Sequence, residues 1–184
     1  MLIKNARLMY SDLFTSREYQ KGDGKPRYGI TVLIKKGSAD DKAVQAAIQQ
    51  EAKARWGDKA KQTLARCEGN SGKYCYTDGS LKENPECEGM MVLAAHRADR
   101  LGPPGIRDTD GRTELLASSG RPYNGCFINA HVEIYCQSGE NTGVRSSFTA
   151  VQYAGPGEHF SKNSPAAAVF DDLGEGAEDD AEIF

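Results

Sequence analysis

A mainly β fold, a small closed sheet with one helix and long loops, is what this sequence predicts. Three observations predict it. Five segments either alternate apolar and polar residues or are rich in β-branched and aromatic ones. One Ala-rich stretch carries helix start and stop signals. The 20 Gly and 7 Pro among 184 residues punctuate the rest. This length suits one domain with insertions, and 39% hydrophobic residues suffice for a single core.

Residues 2–10, LIKNARLMY, read as the first strand, with Leu2, Ala6, Leu8 and Tyr10 on one face and Ile3, Asn5, Arg7 and Met9 on the other. A basic, Gly-containing turn over 17–26 precedes a second strand at 27–35, which puts Tyr28, Ile30, Val32 and Ile34 on one face. Ser38 then caps a helix with Asp40 and Asp41 in its first turn. Its apolar stripe is Val44, Ala47, Ile48, Ala52 and Trp56, and Gly57 stops it. Trp56 at that spacing belongs to the core rather than to a binding platform. Residues 58–89 read as irregular, 90–96 as a third strand, and 97–125 as a long Gly/Pro loop. The fourth strand, 126–136, alternates cleanly: Cys126, Ile128, Ala130, Val132 and Ile134 face in, while Phe127, Asn129, His131, Glu133 and Tyr135 face out. A hairpin through SGENTG leads to the fifth, Val144 to Tyr153.

Five strands with the helix between the second and third fit the five-stranded OB-fold barrel, which tolerates long insertions and binds oligonucleotides. The expected organisation is an OB-fold nucleic-acid-binding domain over 1–153, a Gly/Pro/Ala linker over 154–170 and a disordered acidic tail over 171–184.

That tail, DDLGEGAEDDAEIF, holds seven acids and no base, too little apolar surface to fold alone. The whole chain carries 23 Lys plus Arg and 26 Asp plus Glu, a net of -3. Without the seven tail acids, residues 1–170 carry 23 bases against 19 acids, a net of +4. A mildly basic body tethered to a polyanion is the layout of a nucleic-acid binder with its own competitor. The aromatic Phe184 beside Ile183 suggests a hook for partners, formed with Asp179, Asp180 and Glu182; a plain solubilising tail is the other reading.

Motifs for an enzyme are lacking: there is no G-x-S-x-G, phosphate loop, H-E-x-x-H or G-x-G-x-x-G. His96, His131 and His159 have no partners at fixed spacing. Asp108 and Asp110 in IRDTDGRTE resemble the start of a calcium loop, but the later spacing fails, so they read as a turn. The five cysteines include no Cys-x-x-Cys pair, so free thiols are expected and zinc is not. Cys126 and Cys136 look like small buried hydrophobes. No catalytic residue, metal or cofactor is expected. With no apolar run of about 18 residues and no signal-peptide core, a cytoplasmic protein without membrane contact is expected.

Binding is better supported, because aromatics and cations interleave. Cations track phosphates while aromatic faces stack splayed bases without reading sequence. The interleaved clusters are Arg17, Tyr19, Lys21 and Lys25; Arg27 and Tyr28; Lys73, Tyr74 and Tyr76; Arg121 and Tyr123; Tyr135; and Arg145 with Phe148. The contacts chosen from them are Tyr28, Lys73, Tyr74, Tyr76 and Tyr123, with the loop arginines Arg97, Arg100, Arg107, Arg112 and Arg121. Tyr28 is the one most exposed to a competing role in the core. Duplex DNA would need a basic recognition helix, and the Ala-rich helix is not one.

These residues also resemble a family of phage replication single-stranded DNA-binding proteins, long known only as a phage domain of unknown function. The likeness runs through SDLF at Ser11–Phe14, PRYGITVLIKKG at Pro26–Gly37, GPPGIRDTDGR at Gly102–Arg112 and YNGCFINAHVEIY at Tyr123–Tyr135, and ends in the acidic tail with Phe184. It implies an OB fold that binds single strands on the barrel face. It also implies a tail that docks on replication or recombination proteins, here with EIF where bacterial tails end in Pro-Phe. The expected function is sequence-tolerant protection of single-stranded DNA in phage replication, recombination and repair. The alternatives are an RNA-binding OB protein, an interaction module that binds no nucleic acid, and a metal-dependent nuclease. Oligomeric state is not legible in the residues.

Overall fold

The computed structural model describes residues 1–18, 24–70, 72–82 and 84–160. Tyr19, Lys21, the greater part of the expected linker and the whole acidic tail lie outside them.

Strand β1 (Leu2–Arg17) is followed by β2 (Arg27–Lys35), helix α1 (Ala39–Trp56), helix α2 (Ala60–Cys67), β3 (Tyr76–Asp78), β4 (Met90–Ala98), β5 (Gly105–Arg107), β6 (Phe127–Gln137) and β7 (Gly143–Gly155). The sheet order is β3-β4-β2-β1-β6-β7-β5, and β4 also pairs with β7 through His96 and Ser147. That last pairing closes β1, β2, β4, β7 and β6 into a five-stranded barrel. Closure removes the long sheet edges that would otherwise template aggregation.

Chain pattern explains closure. β1 is long enough to serve two neighbours: its first half pairs with β6 and its second with β2. Between the halves Asn5 adopts φ 49°, and the register against β6 shifts between Ile3 and Ala6. The extra residue corrects the sequence expectation for this strand. Ile3 points inward before the bulge and Ala6 and Leu8 after it, while Leu2 is left exposed. In β6 the alternation holds throughout, with Ile128, Ala130, Val132 and Ile134 all buried, and Cys126 beside them.

Helix α1 plugs the barrel. The Ser38 side chain accepts from the Asp41 N–H, Gly57 ends the helix at positive φ, and Val44, Ile48 and Ala52 are buried. Asp41 is buried too, and its carboxylate accepts hydrogen bonds from the Gly37 N–H, Gln45 Nε2 and the Tyr76 hydroxyl, the last at 2.8 Å. Burial pushes this carboxyl's pKa up, but the hydrogen bonds outweigh it and hold the group below the usual carboxylate range. Trp56 packs against the core and its Nε1 donates to Ser138 Oγ. All five cysteines are free and buried.

The segment expected to be irregular, 58–89, contains α2 and β3, and the long loop contains β5. β3 and β5 are three residues each, too short to carry a periodic signal, and are fixed by the strands they join. β5 runs parallel to β7 and drops Ile106 into the core, and Leu115 follows it there. Asp110 forms the expected turn by accepting from the N–H groups of Arg112 and Thr113.

A second, smaller core lies on the outside of the barrel, where Met9, Leu33, Cys87 and Val92 are covered by Met90 and Phe160. The chain therefore returns across the outer surface of β1 after β7. Phe160 also lies under the Arg7 guanidinium, 4.3 Å from its ring centre.

Candidate nucleic-acid interface

The outward side chains of β2, β4, β6 and β7 come together on one flank of the barrel. In the ladder Gly29 pairs with His96, His96 with Ser147, Asp12 with Gly29, and Tyr135 with Arg145. The consequence is a patch in which Arg27 and Arg145 both act electrostatically on His96 and on Tyr135. Tyr135 is 36% exposed and Tyr10, on the adjoining β1, is 39% exposed. Arg145 Nη1 donates to the Gly72 carbonyl, which steadies its guanidinium at the edge of the patch. Asp12 on this flank is drawn into an ion pair with Arg17 at 2.7 Å. Two arginines, an imidazole and exposed tyrosines on the outer face of an OB barrel can hold phosphates and stack bases.

His96 is half-buried at the centre of the patch. Burial, then the charges of Arg27 and Arg145, push its pKa below the ordinary 6.5, and Asp12 pulls weakly the other way. An unfolded chain would take up a proton near 6.5, whereas the folded protein resists until lower pH. The unfolded state thus binds more protons in that window, so folding stability should fall as pH drops through 6.5. Thermal melts of the parent and of His96→Gln across this range check it. The parent's melting temperature should fall more steeply with acid than the variant's; parallel curves would contradict the assignment.

The residues singled out from sequence are distributed differently. Tyr28 and Tyr76 are core residues, 8% and 2% exposed, and offer no ring face outward. Tyr76 looked like loop because β3 is so short. Tyr74 is half-buried against the core, bridges to Val144 and walls a cleft on the outer face. Lys73 is exposed. Tyr123 is not part of the patch: it is stacked on His159 with centroids 4.2 Å apart, its hydroxyl donating to the Gly157 carbonyl. Among the loop arginines, Arg97 donates to the Gly102 and Leu101 carbonyls, Arg107 pairs with Glu114 at 3.2 Å, and Arg121 pairs with Asp108 at 2.8 Å and covers the Tyr153 ring. These three brace the loop. Arg100 and Arg112 are exposed. Arg27, Tyr135 and Arg145 are legible in the sequence as scattered cations and aromatics but not as one patch, and Tyr10 and His96 do not stand out as contacts at all. The usable signal was the outward half of each strand alternation.

Among the described residues no group of His, Cys, Asp and Glu could hold a metal ion, and no helix is long and apolar enough to cross a membrane.

The closed barrel, its strand order and the cationic, aromatic flank define an OB-type barrel. The chain belongs to the family described as "Enterobacter phage Enc34, ssDNA-binding protein", which matches residues 1–183. It is 31% identical over 175 residues to "Putative protein p50" of Acyrthosiphon pisum secondary endosymbiont phage 1, covering 93% of this chain and 92% of that one. The fold is shared with the single-stranded DNA-binding protein of bacteriophage Enc34 in complex with ssDNA, at TM-score 0.71 and 22% identity, over 87% of this chain and 88% of that one. A more distant match is gp2.5, a single-stranded DNA-binding protein encoded by bacteriophage T7, at TM-score 0.53 and 12% identity, over 89% of this chain and 93% of that one.

Proposed function

We propose that this protein is a non-enzymatic, sequence-tolerant binder of single-stranded DNA that protects the strand during phage replication or recombination in the host cytoplasm. The observation that carries this reading is the Arg27–His96–Arg145–Tyr135 patch on the outer face of the barrel, in a chain of a single-stranded DNA-binding family. Fluorescence titration on 30-nucleotide oligo-dT, oligo-U and duplex DNA tests it. Oligo-dT should bind tightest, and the log–log salt slope should be about −2 to −4, for three to six phosphates at about 0.7 each. Preference for oligo-U would instead favour an RNA binder, and no binding to any of the three would leave an interaction module.

In this reading the acidic tail competes for the patch and recruits replication or recombination proteins when DNA displaces it. Support comes from the tail's seven acids and the position of Phe160. Phe160 sits with Met9, Tyr10 and Asn84 around one cleft, beside the patch. Residues 161–184 follow Phe160 in the chain. Tethering can raise effective concentration to about the millimolar range. Deleting residues 171–184 moves the net charge from -3 to +4, so affinity for oligo-dT should rise, most at low salt where screening is weakest. Unchanged affinity at low salt would show that the tail is no competitor. Phe184→Ala should leave DNA binding nearly intact and abolish capture of replication proteins, because an apolar anchor needs a pocket.

A further inference from the structure

Next to the cationic patch the outer face deepens into a cleft of about 380 Å3, within the range of about 300–1,000 Å3 that holds small molecules. Its floor is the outward side of three strands. Thr31 and Ala94 pair across β2 and β4, and Thr77 comes from the neighbouring β3. Tyr10 and Tyr74 stand among its lining, and Asn84 and Lys82 come from the segment before β4. The Thr31–Ala94 pair is two residues along the ladder from Gly29–His96, on the same face of the sheet. That is about 7 Å of extended chain, so cleft and patch are contiguous.

We propose that this cleft takes one nucleobase, lifted out of the strand's stack, while the flanking phosphates lie against Arg27 and Arg145. The lining matches the mixed character of a base, with Met9, Val92 and Ala94 giving apolar surface for its faces. Tyrosines provide a ring surface, and two threonine hydroxyls with the Asn84 amide supply both donors and acceptors for a base edge. Lys82 at the lining supplies a cation for the backbone. Because hydroxyls and an amide can adapt to any edge, the cleft makes the protein base-dependent without making it sequence-specific. This inference rests on the single-strand reading above.

The test compares a ten-nucleotide oligo-dT with a ten-nucleotide abasic strand, in the full-length protein. Ala94→Leu fills the floor from a half-exposed position, and Thr31→Leu fills it from the next strand. Either should weaken oligo-dT about tenfold, at the scale of one stacked base, and leave the abasic strand unchanged. Ala46→Leu, on the neighbouring cleft beside α1, should alter neither. Equal binding of oligo-dT by the parent and both filling variants, with their melting temperatures intact, overturns the cleft while the single-strand reading stands. Equal loss on both strands also overturns it, since phosphate contacts alone would then have changed. If the parent itself fails to bind oligo-dT, the single-strand reading falls and this inference with it.

Discussion

Replacing Tyr76 by Ala should cost the fold about 3–5 kcal/mol, the usual penalty for truncating a buried aromatic. The ring is 2% exposed inside the barrel, between α1 and the sheet. Its hydroxyl also serves the buried Asp41 carboxylate at 2.8 Å. Burial, then that hydrogen bond, raises the tyrosine's own pKa far out of its normal range. Tyr76→Phe isolates the second effect. It keeps the ring and removes one donor from a buried charge, at a cost of about 1–3 kcal/mol. A domain of this size loses about 2–4 °C per kcal/mol, so the Ala variant should melt on the order of 10 °C below the parent. Thermal melting by circular dichroism measures both. An Ala variant that melts with the parent would mean that Tyr76 is not packed as described.

The second large effect concerns binding. The double variant Arg27→Ala/Arg145→Ala should lower oligo-dT affinity by roughly 25-fold at about 0.1 M salt and flatten the log–log slope by about 1.4, the value for two phosphates at about 0.7 each. Both arginines are half-exposed on the outer side of the barrel, and an unchanged melting temperature would show that the double variant keeps the fold. The single variant Arg107→Ala should cost less, because that guanidinium already serves Glu114. Titrations at four salt concentrations separate the two outcomes. A double variant with the parent's slope would remove the patch from the interface.

Much of the barrel is legible because its long strands obey simple periodicity. Ile128, Ala130, Val132 and Ile134 announce their inward face, and Ser38, Asp41 and Gly57 bound α1 by local chemistry alone. What escapes is whatever depends on a neighbour. Asn5 gives no warning that it will shift β1 by one residue and bring Ile3 inward. Tyr76 sits in KYCYTDGS, which reads as loop until β4 supplies its partner strand. The candidate interface suffers most. Arg27, His96, Tyr135 and Arg145 are scattered over more than a hundred residues, and only the pairing of β4 with β7 sets them on one flank. Conversely, the arginines of the 97–121 loop are conspicuous in sequence, while their partners Asp108 and Glu114 are revealed as partners only by the folded turn.

Photo-crosslinking shows whether a single strand crosses the β2–β4–β7 flank. Oligo-dT carrying 5-iodouracil would be irradiated on the protein and the adducts mapped by mass spectrometry. Adducts are expected at Tyr10, Tyr74, His96 and Tyr135, reduced in the Arg27→Ala/Arg145→Ala protein. Adducts confined to Tyr123 and His159, which stack on each other outside the patch, would contradict that crossing.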